Sequence, residues 1–429
     1  MTRERKTAWV VLIVLAGFLA AVVAHYVLGQ YVVRGYPFST FLYMANDSNQ
    51  GYIGQPNVLG VHRFGDFYEP WITSRDLHAY VGSPLPFPSS YFPVTHVLLF
   101  PLAQLPLEVG LVLYLGGFLA FFAAFVYRHA GGDRLSRTQA ALVLTACSTP
   151  VLFLVDRANI EGLLFLFLAG SLLAYRRERF YLAAVLLAVP VAMKGSAGIF
   201  WLLFLFDGQI RALLLSVATF GLSSIMALLV LPGTTTANVE GLQSALDTLL
   251  TATGQGTAGV RHSVSLKAAF TGLGRMDENF NFFVVNYAYV GLAILVGVVL
   301  ALALLRPVLW QRVALLSAAM ILVPSVSFGY RMLHVYLALA LFLATSQRRR
   351  TDLLFAVLFG LLLVPKGLPV LYIDVNVGTV INPLLLLILM GAVVVDAAMD
   401  PEGRRRVDAI VGRLRRRRSS ATEPLAEAS

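Results

Sequence analysis

The chain has 429 residues, 58% of them hydrophobic and only 13% charged, with a mean hydropathy of +0.75 and a net charge of +10. A soluble chain carries about 25% charged residues, so the composition excludes a soluble globular protein. The basic balance does not mark a nucleic-acid binder either, because the positive charge is gathered at the ends of apolar runs: Arg3, Arg5 and Lys6; Arg128, Arg134 and Arg137; Arg176, Arg177 and Arg179; Arg348, Arg349 and Arg350; and the tail RRRVDAIVGRLRRRR. This is the positive-inside pattern of a multi-pass membrane protein.

In chain order, Trp9–Leu28 is long enough for a first span and lacks a convincing cleavage site, so it reads as a retained helix. Residues 30–92 form a long outside segment rich in Gly, Pro, Tyr and Phe. Val94–Leu105 is a short apolar piece, and Val109–Phe125 returns the chain to the basic loop YRHAGGDRLSR. Ala140–Val155 leads out to the turn VDRANIEG, and Leu163–Ala174 comes back to YRRERF. Tyr181–Met193 and Ile199–Phe206 are each short for a span and are divided by Lys194-Gly195, as in a helical hairpin with Lys194 at its tip. Ile210–Leu231 leads to a second outside stretch, 232–280, after which Phe283–Leu305, Val313–Val326, Leu333–Thr345, Leu353–Leu371 and Ile381–Ala398 complete the set. The expectation is an all-α polytopic integral membrane protein of about 10–12 transmembrane helices. Residues 1–400 form one transmembrane domain, residues 401–429 form a basic cytoplasmic tail, and both termini are cytoplasmic.

Cys147 is the only cysteine, so no intrachain disulfide and no cysteine metal cluster can form. No nucleotide, zinc or hydrolase motif is present, and no D-x-D occurs in the outside loops; neither metal nor cofactor is expected. Membrane lipids are expected partners and nucleic acid is not.

On this layout Asp66, Asp156, Arg157, Lys194, Arg261, His262, Arg331 and His334 fall at the outer side, from five separate turns or loops. Ionisable groups at membrane depth are costly and signal function by default; Asp156 and Arg157 could equally mark a wet turn. Lys194 is one of only four lysines and has no acidic neighbour close in sequence. It either snorkels to the surface or meets a buried anion such as a phosphate. Arg331 and His334, at i and i+3, share a helix face and would suit an anionic headgroup, or anchor the interface with Tyr330 and Tyr336. In HRFGDFYEPWITSRDLHAY, the carboxylates Asp66, Glu69 and Asp76 lie among Phe64, Phe67, Tyr68, Trp71 and Tyr80. Rings that pack on sugar C–H faces and carboxylates that take hydroxyl protons are what saccharide chemistry needs.

Four pieces in order carry a resemblance: GDFYEPW with SSYFPVTHVLLFPLAQLP; DRANIEGLLFLFLAGSLLAY; LAAVLLAVPVAMKGSAGIFWLLFL; and HSVSLKAAF followed by PSVSFGYRMLHVYLALAL. Together they resemble the GT-C glycosyltransferases of family GT87, the DUF2029 group, which includes polyprenyl-phosphate-mannose-dependent α-mannosyltransferases of actinobacteria. The family's Y-P-P segment is Tyr91-Phe92-Pro93 here, and its R-G-N turn is Arg157-Ala158-Asn159. The resemblance implies a GT-C-like bundle with long extracytoplasmic loops. It implies a hexosyltransferase that moves a sugar, best read as mannose, from a polyprenyl-phosphate donor to a glycolipid or glycan acceptor, at a plasma-membrane site facing outward. Asp66 would be the general base for inverting attack. Arg157, Asn159, Lys194, His262, Arg331 and His334 would meet the donor phosphate, with Asp156 or Glu161 orienting Arg157. Tyr68, Glu69, Trp71, Asp76 and Tyr91 would contact sugar or acceptor. Transfer of arabinofuranose from a polyprenyl phosphate, a lipid-linked sugar flippase or transporter, and a polymer ligase are the alternatives left open.

Overall fold

A computed structural model describes residues 1–28, 31, 64–85, 88–255, 260–345, 349–370, 375–401 and 405. Residues 32–63 of the first outside segment and nearly all of the basic tail lie outside them. The described chain is helical almost throughout. Its first half holds α1 (Arg3–Val27), α2 (Gly65–Arg75), α3 (Pro93–Ala103), α4 (Leu107–His129), α5 (Arg134–Ala146), α6 (Thr149–Arg157), α7 (Glu161–Arg176) and α8 (Phe180–Met193). A 3-10 turn, Gly195–Phe200, runs into α9 (Trp201–Phe206), followed by α10 (Ile210–Val230), α11 (Thr235–Gln255), α12 (Leu266–Gly274), α13 (Asn281–Val285), α14 (Tyr287–Leu305) and α15 (Leu309–Leu322). A second 3-10 turn, Gly329–His334, leads into α16 (Val335–Ala344), then α17 (Asp352–Leu363) and α18 (Val377–Met399). The extended structure in the named elements is a two-residue hairpin, β1 (Pro369–Val370) with antiparallel β2 (Val375–Asn376).

Five helices, α1, α4, α10, α14 and α18, are long and apolar enough to cross a membrane; α5 and α6 together make a sixth, bent by 52°. Six shorter apolar helices complete the bundle, two of them with their leading 3-10 turn. This confirms an all-α polytopic membrane protein. Burial sorts the helices. Nine of the ten residues of α16 are buried, and so are twelve of the fourteen in α15, as expected of helices at the centre of a bundle. By contrast α10 and α14 expose apolar side chains such as Leu214, Leu222, Leu292 and Val296, and so form the perimeter. Stretch 232–280, expected as an outside loop, contains α11 and α12.

Two local features hold the centre at the start of α7. The Tyr114 hydroxyl of α4 donates to the Asn159 carbonyl. A Cβ added at Gly162 would lie 2.7 Å from Tyr114 Oη and 3.0 Å from Phe118 Cδ2, so only glycine lets α7 approach α4 this closely. Gly162→Ala is expected to destabilise the protein by about 1–3 kcal/mol through overpacking. A lowered midpoint in thermal denaturation of the detergent-solubilised protein checks this, and an unchanged midpoint would mean that α4 shifts freely.

Candidate active site

VDRANIEG, which interrupts the apolar sequence, folds as a helix end, a turn and a helix start. α6 stops because Ala158 takes the left-handed conformation (φ 49°), unusual for a residue with a side chain. The Ala158 N–H bonds Val155 O and the Asn159 N–H bonds Leu154 O, both at 3.2 Å, the Schellman pattern that satisfies the last carbonyls of a helix. The turn sets Asn159 between two jobs. Its side-chain oxygen accepts from the Glu161 N–H at 2.9 Å, which fixes which end of the amide is which. Its Nδ2 then donates to Asp66 Oδ2 at 2.7 Å. Asp66 arrives from the first turn of α2, and the start of that helix is stitched to the same turn by Phe64 N–H to Asp156 O at 2.9 Å.

Glu161, whose side chain is 2% exposed, sits at the head of α7 and gathers basic side chains from two other segments. Lys194 Nζ lies 2.7 Å from Oε2, His334 Nε2 lies 2.9 Å from Oε1, and Arg331 Nε lies 4.0 Å from Oε1. Lys194 reaches the group because the chain turns extended there, between α8 and the following 3-10 turn. The 3-10 winding of Gly329–His334 brings Arg331 and His334 to one side. A buried carboxylate needs such company, since its desolvation alone would be prohibitive. Arg331 is also buried, and its Nη1 has no hydrogen-bond partner among the described residues. The ammonium of Lys194 lies 5.8 Å from the Tyr330 ring centroid. Asp66, Asn159, Glu161, Lys194, Arg331 and His334 thus form one connected polar group built from five elements.

Glu69 lies one helical turn beyond Asp66 on α2, which is not among the apolar spans. Its Oε1 accepts from Ser89 Oγ at 3.1 Å. Burial pushes the Glu69 carboxyl up to about 7, with the Asp66 charge acting in the same direction and the Ser89 hydrogen bond opposing. Tyr91 lies beside this region; its carbonyl accepts from the Tyr80 hydroxyl, and its ring packs in the cluster containing Ile160 and Met193.

Not every candidate joins the group. Arg157 pairs with its neighbour Asp156 at 3.7 Å and lies over the Phe153 ring, while Glu161 is taken by Lys194, Arg331 and His334. His262 stands behind Phe153, with ring centroids 6.2 Å apart, next to Asn376. It is carried there by the pairing of HSVS with PSVS: Val264 N–H bonds Ser327 O, and Ser263 and Phe328 form an antiparallel bridge. Trp71 is buried against α4, with Tyr68 stacked on it at 6.1 Å. Asp76 is exposed at the far end of α2. Tyr114, Ser89 and Tyr330 complete the surroundings without having been singled out in the sequence for this site. Tyr114 offered the one usable signal, a lone hydroxyl in the apolar run LVLYLGG. Among the described residues, no group of three or more His, Cys, Asp or Glu could hold a metal ion.

The model of glycosyltransferase family 87 matches residues 90–328, more than half of the chain. No curated protein and no solved structure matches it.

Proposed function

The chain belongs to glycosyltransferase family 87, and from that premise we propose that it transfers mannose from a polyprenyl-phosphate donor to a glycolipid or glycan acceptor, with inversion, at the extracytoplasmic face of the cell membrane. The observation that carries this reading is the hydrogen-bonded chain from Asp66 through Asn159 to Glu161, with Lys194 and His334 bonded to the Glu161 carboxylate and Arg331 beside it. It sets one carboxylate beside a group of donors suited to a phosphate.

Asp66 acts as the general base. Asn159 occupies Oδ2, which leaves Oδ1 to take the proton of the acceptor hydroxyl. The acceptor oxygen forms the new bond to the sugar's anomeric carbon as the bond from that carbon to the phosphate oxygen breaks. The electron pair leaves with the polyprenyl phosphate, which is stable as an anion and requires no partner acid. The site's remaining task is to stabilise charge growing on phosphate oxygens. Lys194, Arg331 and His334 do this, and the unpaired Nη1 of Arg331 gains a partner once the side chains over it part. Arg157 and His262 flank the group and contact the more distant parts of the donor headgroup. Tyr68, Trp71 and Tyr91 shape the side toward sugar and acceptor.

The test is transfer of label from radiolabelled polyprenyl-phosphate mannose into a lipid acceptor extract by membranes containing the protein. Label in the acceptor supports the reading. Transfer only from polyprenyl-phosphate arabinofuranose keeps the mechanism and changes the sugar, and transfer from neither overturns the reading.

Glu69 gives this site a pH signature. Below about pH 7 its carboxyl is protonated; above, a second negative charge stands beside Asp66 and opposes an anionic donor. The KM for donor is expected to rise roughly 3- to 10-fold between pH 6 and 8, and to stay flat in Glu69→Gln. Stability follows the same group. An unfolded chain ionises this carboxyl near its ordinary 4.5 while the folded chain holds the proton to about 7. Stability is therefore lost as pH rises from 4.5 to 7, and Glu69→Gln should remove that slope. A slope retained in the variant would assign it to another group.

A further inference from the structure

The face opposite the Asp66 group carries a cavity of a different kind. α7 has 16 residues and rises about 24 Å from Glu161 to Arg176. At its far end a cavity of about 350 Å³ is lined by Arg3, Arg128, His129, Leu173, Arg176, Arg177 and Ala344. No carboxylate lines it. Of the acids near it in sequence, Glu4 is exposed beside Gly132, Asp133 accepts from the Ser136 N–H at the start of α5, and Glu178 lines a separate cavity with Arg179 and Arg211. Asp352 is held by the Met1 amine at 2.6 Å and Lys6 at 3.2 Å.

Capping explains part of the positive charge. α4, α7 and α16 all end at this cavity, and each helix C-terminus carries roughly half a negative charge. Arg3 serves them directly, donating from Nε to Leu343 O at 3.1 Å and from Nη2 to His129 O at 3.3 Å. Three such ends offset about one and a half charges, whereas four guanidinium groups supply four. About two and a half positive charges remain among the groups lining a cavity of ligand size, and about one and a half once the exposed Glu4 beside Arg3 is counted. Arg128, Arg176 and Arg177 are exposed, so their donors are available. Leu173 and Ala344 add an apolar wall at the depth where span ends meet headgroups.

We propose that the cavity ringed by Arg3, Arg128, His129, Arg176 and Arg177 binds the phosphate of an anionic lipid headgroup, on the side of the membrane away from the transferase site. Bidentate guanidinium–phosphate geometry suits this role better than a point charge would. The site ties together the ends of α1, α4, α7 and α16, so its occupant would hold fixed the far end of the helix that presents Glu161. This proposal does not depend on the sugar or the acceptor.

The test uses the full-length protein in non-ionic detergent, titrated with phosphatidylglycerol or phosphatidylcholine of identical acyl chains and read by native mass spectrometry. Phosphatidylglycerol is expected to bind at least 10-fold more tightly. The double variant Arg128→Gln/Arg177→Gln is expected to lose about 30-fold of that affinity, from roughly a 5-fold loss for each surface arginine, with phosphatidylcholine unchanged. If the double variant does not fold, each single variant should show about a 5-fold loss. Equal binding of the two lipids, or undiminished phosphatidylglycerol binding in the variants, overturns the proposal. Thermal shift with millimolar inorganic phosphate is the other arm. An arginine-dependent rise with phosphate, and none with phosphatidylglycerol, would assign the cavity to a soluble phosphate and overturn the lipid assignment.

Discussion

Asp66→Asn is expected to lower the rate of sugar transfer by about 10²–10⁴-fold, the range removed with a general base, while leaving the KM for donor within about 3-fold. The split follows from geometry. Asparagine keeps the shape of the side chain and an oxygen able to accept from Asn159 Nδ2, which now meets Asp66 Oδ2 at 2.7 Å. Lys194, Arg331 and His334 around Glu161, proposed to bind the donor, are untouched. Only the capacity to take a proton is lost. Initial rates at matched expression, with donor concentration varied, separate the two parameters. Full activity in the variant would remove Asp66 from the role of base. Glu69 would come next, since it lies one turn away on the same face of α2, whereas Asp76 is exposed at the helix's other end.

The membrane character was legible because it rests on run length and charge placement, which are local. VDRANIEG was also legible as a break, because three ionisable residues stand between apolar runs. Its internal logic was not. Ala158 in a left-handed turn, where glycine or asparagine is the usual signal, gave no warning of the Schellman end that places Asn159. Nor could the partners of Glu161 be read from the sequence: Lys194 is 33 residues away and His334 is 173. The missing acid beside Lys194 was present all along at the head of another helix. His262 shows the reverse case. Its motif lies close to the right segment, but the pairing of HSVS with PSVS sets it behind Phe153. Stretch 232–280 read as a loop because its polarity breaks the apolar pattern, and helix α11 carries no span-length apolar face that would have revealed it.

Glu161→Gln is expected to damage both stability and transfer, and the two losses can be separated. The variant leaves Lys194 and Arg331 facing an amide instead of a buried carboxylate. Breaking a buried pair from one side costs about 3–5 kcal/mol. Lys194 keeps 24% of its side chain exposed, which places this case at the lower end, about 3 kcal/mol. The thermal midpoint should fall accordingly. Transfer should fall as well, because His334, Lys194 and Arg331 lose the group that fixes their positions, which the proposed mechanism needs against the donor phosphate. The double variant Glu161→Gln/Lys194→Met removes the stranded cation, so stability should recover in part, the non-additive behaviour expected of neighbours in one network. Transfer should not recover, because Lys194 is itself a phosphate donor group in the proposed mechanism. Recovery of both together would mean that Glu161 and Lys194 only hold the bundle together. A single variant as stable as the wild type would mean that water already screens the pair, and the charges at the head of α7 would then have to be explained by function alone.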